Sequence, residues 1–131
     1  MGILARVIGN AGVVEPDVLN EKVGMLLVEG ENIEVGFRVI RDMYIFTNKR
    51  FIYANKQGIT GKKIEFLSIL YDKITRFSVE TAGHFDLDAE LKIWVAGMEL
   101  PIIDQRFSKK VNIYDLQRIL ATHVIGDINT L

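Results

Sequence analysis

The spacing of apolar residues changes period twice along the chain. Up to about Val28 it is helical. Pro16 suits a first helical turn, and Val18, Leu19, Val23, Leu26 and Leu27 fall on one stripe before Gly30 ends it. Ile3, Leu4, Val7 and Ile8 could share one face of a shorter helix before that. From Ile33 to about Asp104 the period is two, as expected of half-buried strands. The expected strands are Ile33–Val39, Met43–Thr47, Arg50–Asn55, Ile64–Leu70, Ile74–Thr81, Phe85–Val95 and Glu99–Ile103. Gly58 and Gly61 mark a loop in which both serve positive-φ turn positions. Pro101 argues for an edge or strand-end position in the seventh strand. Helical spacing then returns. Asn112 caps a helix with Ile113, Leu116, Ile119, Leu120 and Val124 on one face, and Gly126 ends it.

Seven short antiparallel strands cannot easily close a small barrel without an open end, and a one-faced C-terminal helix is the natural plug. The fold class is therefore mainly β (α+β): a seven-stranded bent antiparallel barrel closed by a C-terminal α-helix, with short N-terminal helices. Residues 1–131 are expected to form a single domain, with a helical segment over 1–29, the barrel over 33–104 and the last helix over 112–125. The order of elements is that of a pleckstrin-homology fold.

Three stretches narrow the match. They are Arg41-Asp42 with Phe46-Thr47-Asn48-Lys49-Arg50; Gln57-Gly58-Ile59-Thr60-Gly61-Lys62-Lys63; and Phe77-Ser78-Val79-Glu80-Thr81-Ala82-Gly83 running into Asp86-Leu87-Asp88. In this order and spacing they closely resemble the bacterial pleckstrin-homology-like domain family. The resemblance implies a small bacterial protein of unassigned biochemical function that assembles as a cyclic homo-oligomeric ring. It also implies that residues between adjacent protomers' strands contact a partner. It implies no catalytic set.

Composition removes several function classes. The 131 residues carry 16 Lys plus Arg against 17 Asp plus Glu, for a net charge of -1. A duplex nucleic-acid binder shows a basic excess, so no nucleic-acid partner is expected. With Cys at 0, disulfides, thiolate metal sites and cysteine nucleophiles are all absent. No apolar run approaches the length of a membrane span, and Met1 to Gly9 lacks the basic start of a secretory signal. The expected location is the cytoplasm, and no membrane partner is expected. Mean hydropathy is +0.19, apolar for so small a domain.

Candidate chemistry is sparse. Gly58 to Lys63 looks like part of a phosphate-binding loop, but the glycine spacing is short and a strand follows where a helix N-terminus is needed. His84, Asp86, Asp88 and Glu90 share one strand face, yet same-face neighbours are ~6.5–7 Å apart, too far to converge on one ion. No metal or cofactor is expected. His123 is placed at the solvent edge of the last helix, and Ser68, Ser78 and Ser108 lack a nucleophile-elbow context, so the chain is read as a non-enzyme. Trp94 is the exception on an otherwise polar strand face: either an interface signal or a ring packed under a loop or the terminal helix. Ile64, Phe66 and Leu70 face away from Leu67 and Ile69, giving the fourth strand two apolar faces.

The sequence thus points to a binding or scaffold module. Its expected surface for self-assembly and for an unidentified protein partner is Phe66, Leu70, Arg76, Asp86, Asp88, Glu90 and Trp94. An alternative is weak binding of an anionic lipid headgroup or peptide by Lys49, Arg50, Lys62 and Lys63, gathered at one end of the barrel.

Overall fold

The structure is a computed structural model, and it describes residues 12–81, 89–108 and 110–126. The reading of a helix over Ile3 to Ile8 falls outside these residues. So does the first part of the sixth strand with His84, Asp86 and Asp88. The chain divides into two compact units, Met1–Leu70 and Tyr71–Leu131. Each is taken by itself.

The first unit holds helix α1 (Pro16–Val23), a 3₁₀ turn (Gly24–Leu26) and four strands: β1 (Ile33–Val39), β2 (Asp42–Thr47), β3 (Arg50–Gln57) and β4 (Lys63–Leu70). The strands form one antiparallel sheet in sequence order, joined by hairpins. α1 lies across one face of it. Leu19 and Val23 bury themselves against Met43, Ile45, Ile52 and Ala54, with Ile64 and Phe66 packed at the margin. The alternate residues of β1–β3 bring Phe37, Tyr44, Phe46 and Phe51 to the opposite face, where all four are buried.

Gly36 explains how the helix reaches the sheet. A Cβ at that position would stand 2.5 Å from Leu19 Cδ2, so only a residue without a side chain lets Leu19 seat on β1. The expected single helix to Val28 is shorter. It stops at Gly24, beyond which the 3₁₀ turn and an extended Leu27 follow. Glycine is the weakest helix former in the stretch, and Gly30 (φ +79°) serves a turn further on.

The second unit holds a 3₁₀ turn (Tyr71–Lys73), β5 (Ile74–Glu80), β6 (Ala89–Val95), β7 (Ile103–Phe107) and helix α2 (Ile113–Ile125). β5, β6 and β7 make a three-stranded antiparallel sheet in that order. The seventh strand corrects the sequence reading, which placed it at Glu99–Ile103. Pro101 has no N–H to give a ladder, and Gly97 (φ +81°) and Met98, whose N–H donates to Val95 O, turn the chain there. Pairing as a strand begins only at Ile103, opposite Ile93. α2 is as expected. Asn112 Oδ1 accepts from the N–H groups of Tyr114 (3.1 Å) and Asp115 (3.3 Å), and Ile113, Leu116, Ile119 and Leu120 are buried.

Candidate binding surfaces

The most built polar site was not legible as one in the sequence. Glu31 is buried, and its carboxylate holds the Arg50 guanidinium at both oxygens: Nε to Oε2 at 2.8 Å and Nη2 to Oε1 at 3.0 Å. Thr47 Oγ1 donates to Oε2 at 2.7 Å, and Val28 N–H donates to Oε1 at 3.0 Å. Arg50 also reaches Leu26 O (2.6 Å) and Ser68 Oγ (2.9 Å). This knot ties the segment after α1 to β2, β3 and β4. The hydrogen bond from Arg50, helped by those from Thr47 and Val28, outweighs burial and holds the Glu31 carboxyl at about 2 against an ordinary 4.5.

Arg50 was expected to contribute to an anion site. Its N–H groups are instead directed into the knot, so it stands as a structural cation. The other members of that set do not gather either. Lys49 lies in the β2–β3 turn, whereas Lys62 and Lys63 lie at the β3–β4 connection, at the far end of β3. That is roughly 25 Å away at ~3.3 Å per residue.

The β3–β4 connection shares its end of the sheet with the β1–β2 turn. Arg41 Nη1 donates to Gly58 O at 2.8 Å, tying the two together. Asp42 braces the same end: Oδ1 accepts from Lys56 N–H (2.9 Å) and Oδ2 from Tyr53 Oη (3.0 Å). Burial first, then this carboxylate, pushes the Tyr53 hydroxyl above its ordinary value of 10.0. Gly58 and Gly61 have φ +76° and +67°, the turn roles expected of them.

In the second unit β6 sorts its side chains as the alternation predicts. Leu91 and Ile93 are buried, while Glu90, Lys92 and Trp94 share the half-exposed polar face. Arg76 is opposite Trp94 in the β5–β6 register, and its guanidinium sits 4.5 Å from the indole centroid. The indole N–H donates to Glu99 O at 3.2 Å, in a loop that exposes Met98 and Leu100. Lys92 pairs with Glu90 at 3.4 Å. Arg76 and Trp94 are thus brought together, while Glu90 shares their face further along β6, opposite Glu80. Asp86 and Asp88 lie outside the described residues.

Phe66 and Leu70 differ from each other. Phe66 packs against the α1 cluster, so the second apolar face of β4 is covered there by the chain's own helix. Leu70, at the strand's end, is exposed.

Nothing among the described residues gathers three carboxylates or histidines as a metal site would. His123 is half-buried and not at the solvent edge; its ring stacks on Tyr71 at 4.2 Å and 5°. Ser68 Oγ accepts from Arg50, a cation that cannot take its proton as a base would. A cleft of about 380 Å³ lies between the start of α1 and β1, lined by Val13, Glu15, Leu19, Asn20, Ile33 and Glu34 among others, with no nucleophile or base pair in it. No described helix is long and apolar enough to cross a membrane.

Two antiparallel sheets with a C-terminal helix and a short N-terminal one define a pleckstrin-homology-like protein. The chain belongs to the bacterial PH domain family, whose model it matches over residues 2–124. It is similar to the uncharacterized protein YjqA of Bacillus subtilis (strain 168), 51% identical over 121 residues that cover 92% of this chain and 97% of that protein. It is also similar to YozO of the same strain, 31% identical over 79% of this chain and 88% of that one. Among solved structures, a DUF1696 family protein with a pleckstrin-homology domain from Shewanella loihica PV-4 superposes with a TM-score of 0.79 at 43% identity, covering 88% of this chain and 98% of that one. The pleckstrin homology domain from Shewanella amazonensis SB2B gives 0.78 at 37%, covering 95% and 100%.

Proposed function

We propose that the protein is a non-enzymatic binding and scaffold module that works as a cyclic homo-oligomer. Its contact surface is the polar face of the β5–β7 sheet, where a protein partner is also met. The observation that carries this reading is Trp94 held flat under Arg76 on an otherwise polar face, with exposed Met98 and Leu100 in the loop its N–H bonds. A pre-oriented Trp–Arg pair is the side-chain chemistry of an interface anchor. It is already ordered before any partner arrives, so little side-chain freedom is lost on contact. Asp86 and Asp88 precede this strand in sequence and belong to the same proposal.

Native mass spectrometry of the full chain tests it. The wild type is expected as a defined multiple of the 14.9 kDa protomer. Trp94→Ala is expected to shift the population to monomer, and Arg76→Ala to do so in part. A wild type that stays monomeric at tens of micromolar overturns the reading.

A further inference from the structure

Among the described residues, the polar face of the β5–β7 sheet carries the cations Arg76, Lys92 and Arg106, and the ladder gives two of them an acid. Lys92 stands opposite Asp104 and also pairs with Glu90, and Arg106 stands opposite Glu90. Opposite charges placed across a ladder in this way support the pairing. Arg76 stands opposite Trp94 instead, with Ser78 next to it on the same face of β5. It is exposed, and among the described residues no carboxylate pairs with it. Glu99, in the neighbouring loop, gives its carbonyl oxygen to the indole N–H.

The stack decides what Arg76 can do. Its Cζ lies over the indole, 4.5 Å from the ring centroid, and such a contact uses the flat side of the guanidinium. The N–H donors point outward in the plane of the group, so the stack leaves them unspent. The side chain is held in place and still has its fork to give. A planar fork of this kind takes a carboxylate through two parallel N–H···O bonds. Beside it, Met98 and Leu100 are exposed in the loop that the indole N–H bonds. The other end of the face has the opposite character. Glu80 lies four residues further along β5, roughly 13 Å away by the strand rise, and stands opposite Glu90. That like-charged pair disfavours more negative charge there. An acidic run lying along the sheet is therefore repelled, whereas a single carboxylate at the Arg76 end is not.

We infer that Arg76 receives a carboxylate from the protein partner. The fitting segment carries one aspartate or glutamate flanked by apolar residues, with the carboxylate on the guanidinium edge and an apolar neighbour on Trp94, Met98 and Leu100. The inference rests on the reading of this face as the place where a partner is met, and it gives that partner a chemistry. The flat side of the guanidinium stays on Trp94, which remains the anchor between copies. The docked carboxylate supplies the acid that the ladder does not. Because the fork is ordered before the partner arrives, little side-chain freedom is lost on contact.

Trp94 is the chain's one tryptophan, so its indole N–H resonance in the full chain reports on the site directly. The probes are the end-capped peptide Gly-Leu-Glu-Leu-Gly and its counterpart with glutamine in place of glutamate. The glutamate peptide is expected to shift the resonance saturably, and the glutamine peptide to bind about tenfold more weakly. Arg76→Lys keeps the charge and loses the fork, and should weaken the glutamate peptide about tenfold while leaving the glutamine peptide unchanged. Equal binding of the two peptides by the wild type overturns the inference, as does undiminished binding of the glutamate peptide by Arg76→Lys. An equal response to free acetate would show an ion contact only and overturns it too. Native mass spectra of the same samples separate the inference from the reading beneath it. An assembled wild type that ignores the glutamate peptide keeps the assembly and loses the inference. A monomeric wild type that prefers the glutamate peptide keeps the inference and loses the ring. A fall in assembly mass on adding the peptide would give the fork to a neighbouring copy, which overturns the inference.

Discussion

Glu31 sits in a short linker after a glycine, where a sequence offers no reason to bury a carboxylate. Arg50 and Thr47, by contrast, stand inside the Phe46-to-Arg50 stretch that carries the family resemblance, yet their roles are invisible without Glu31. Burial of a charge is decided by a partner 19 positions away, and period and composition carry no such information. The cost of separating them is correspondingly large. Glu31→Gln should destabilise the protein by about 3 kcal/mol in urea melts, because the guanidinium keeps its partly buried place without its counter-charge. The acid dependence has a defined sign. Folding lowers the Glu31 carboxyl from 4.5 to about 2, so its contribution is complete above about 4.5 and is lost as pH falls through about 2. Stability measured across that window should fall in the wild type and fall less in Glu31→Gln. Gly36 makes a second residue-scale case. Gly36→Ala should cost about 1–3 kcal/mol by forcing Leu19 off the sheet. Leu19→Ala should remove most of that penalty in a double-mutant cycle; simple additivity would show that Leu19 is not the obstacle.

Elements were legible where one face is apolar and the ends carry chemistry. α2 shows both, with Asn112 at its start and a buried stripe, and Asn112→Ala should lower stability by about 1 kcal/mol in thermal melts. β1 to β5 appeared near their expected positions because each pairs across a hairpin whose turn residues are recognisable. β7 was misplaced because Leu100 and Ile102 mimic strand alternation, while the chain is in fact turning around Gly97 and Pro101. Apolar residues in a loop are read as core unless something outside the local pattern exposes them. Ile40 is the sharper instance. An isoleucine in a two-residue connection reads as the end of a strand, and only the backbone shows it in the left-handed region. Ile40→Gly should therefore raise the melting temperature, by the equivalent of about 1 kcal/mol. An unchanged or lower value would mean the turn is not strained by its side chain.

At the scale of the molecule, the apolar excess has two destinations. Part of what looked like a second exposed face on β4 is covered by α1, which lowers the demand for an outside partner at Phe66. What stays exposed is spread over several places: Met25 and Val28 after α1, Ile40 and Ile59 in turns of the first sheet, Leu70, the Met98–Leu100 loop, and Tyr114 and Ile125 on α2. In the proposed cyclic ring every protomer meets its neighbours through the same surface, so one substitution there is repeated at every junction. Trp94→Ala should therefore bring the assembly down toward the 14.9 kDa protomer in native mass spectrometry, whereas Ile40→Gly, in the first unit, should leave the assembly mass unchanged. A lower assembly mass in Ile40→Gly would show that the first unit also carries a junction, because the substitution touches nothing on the β5–β7 sheet.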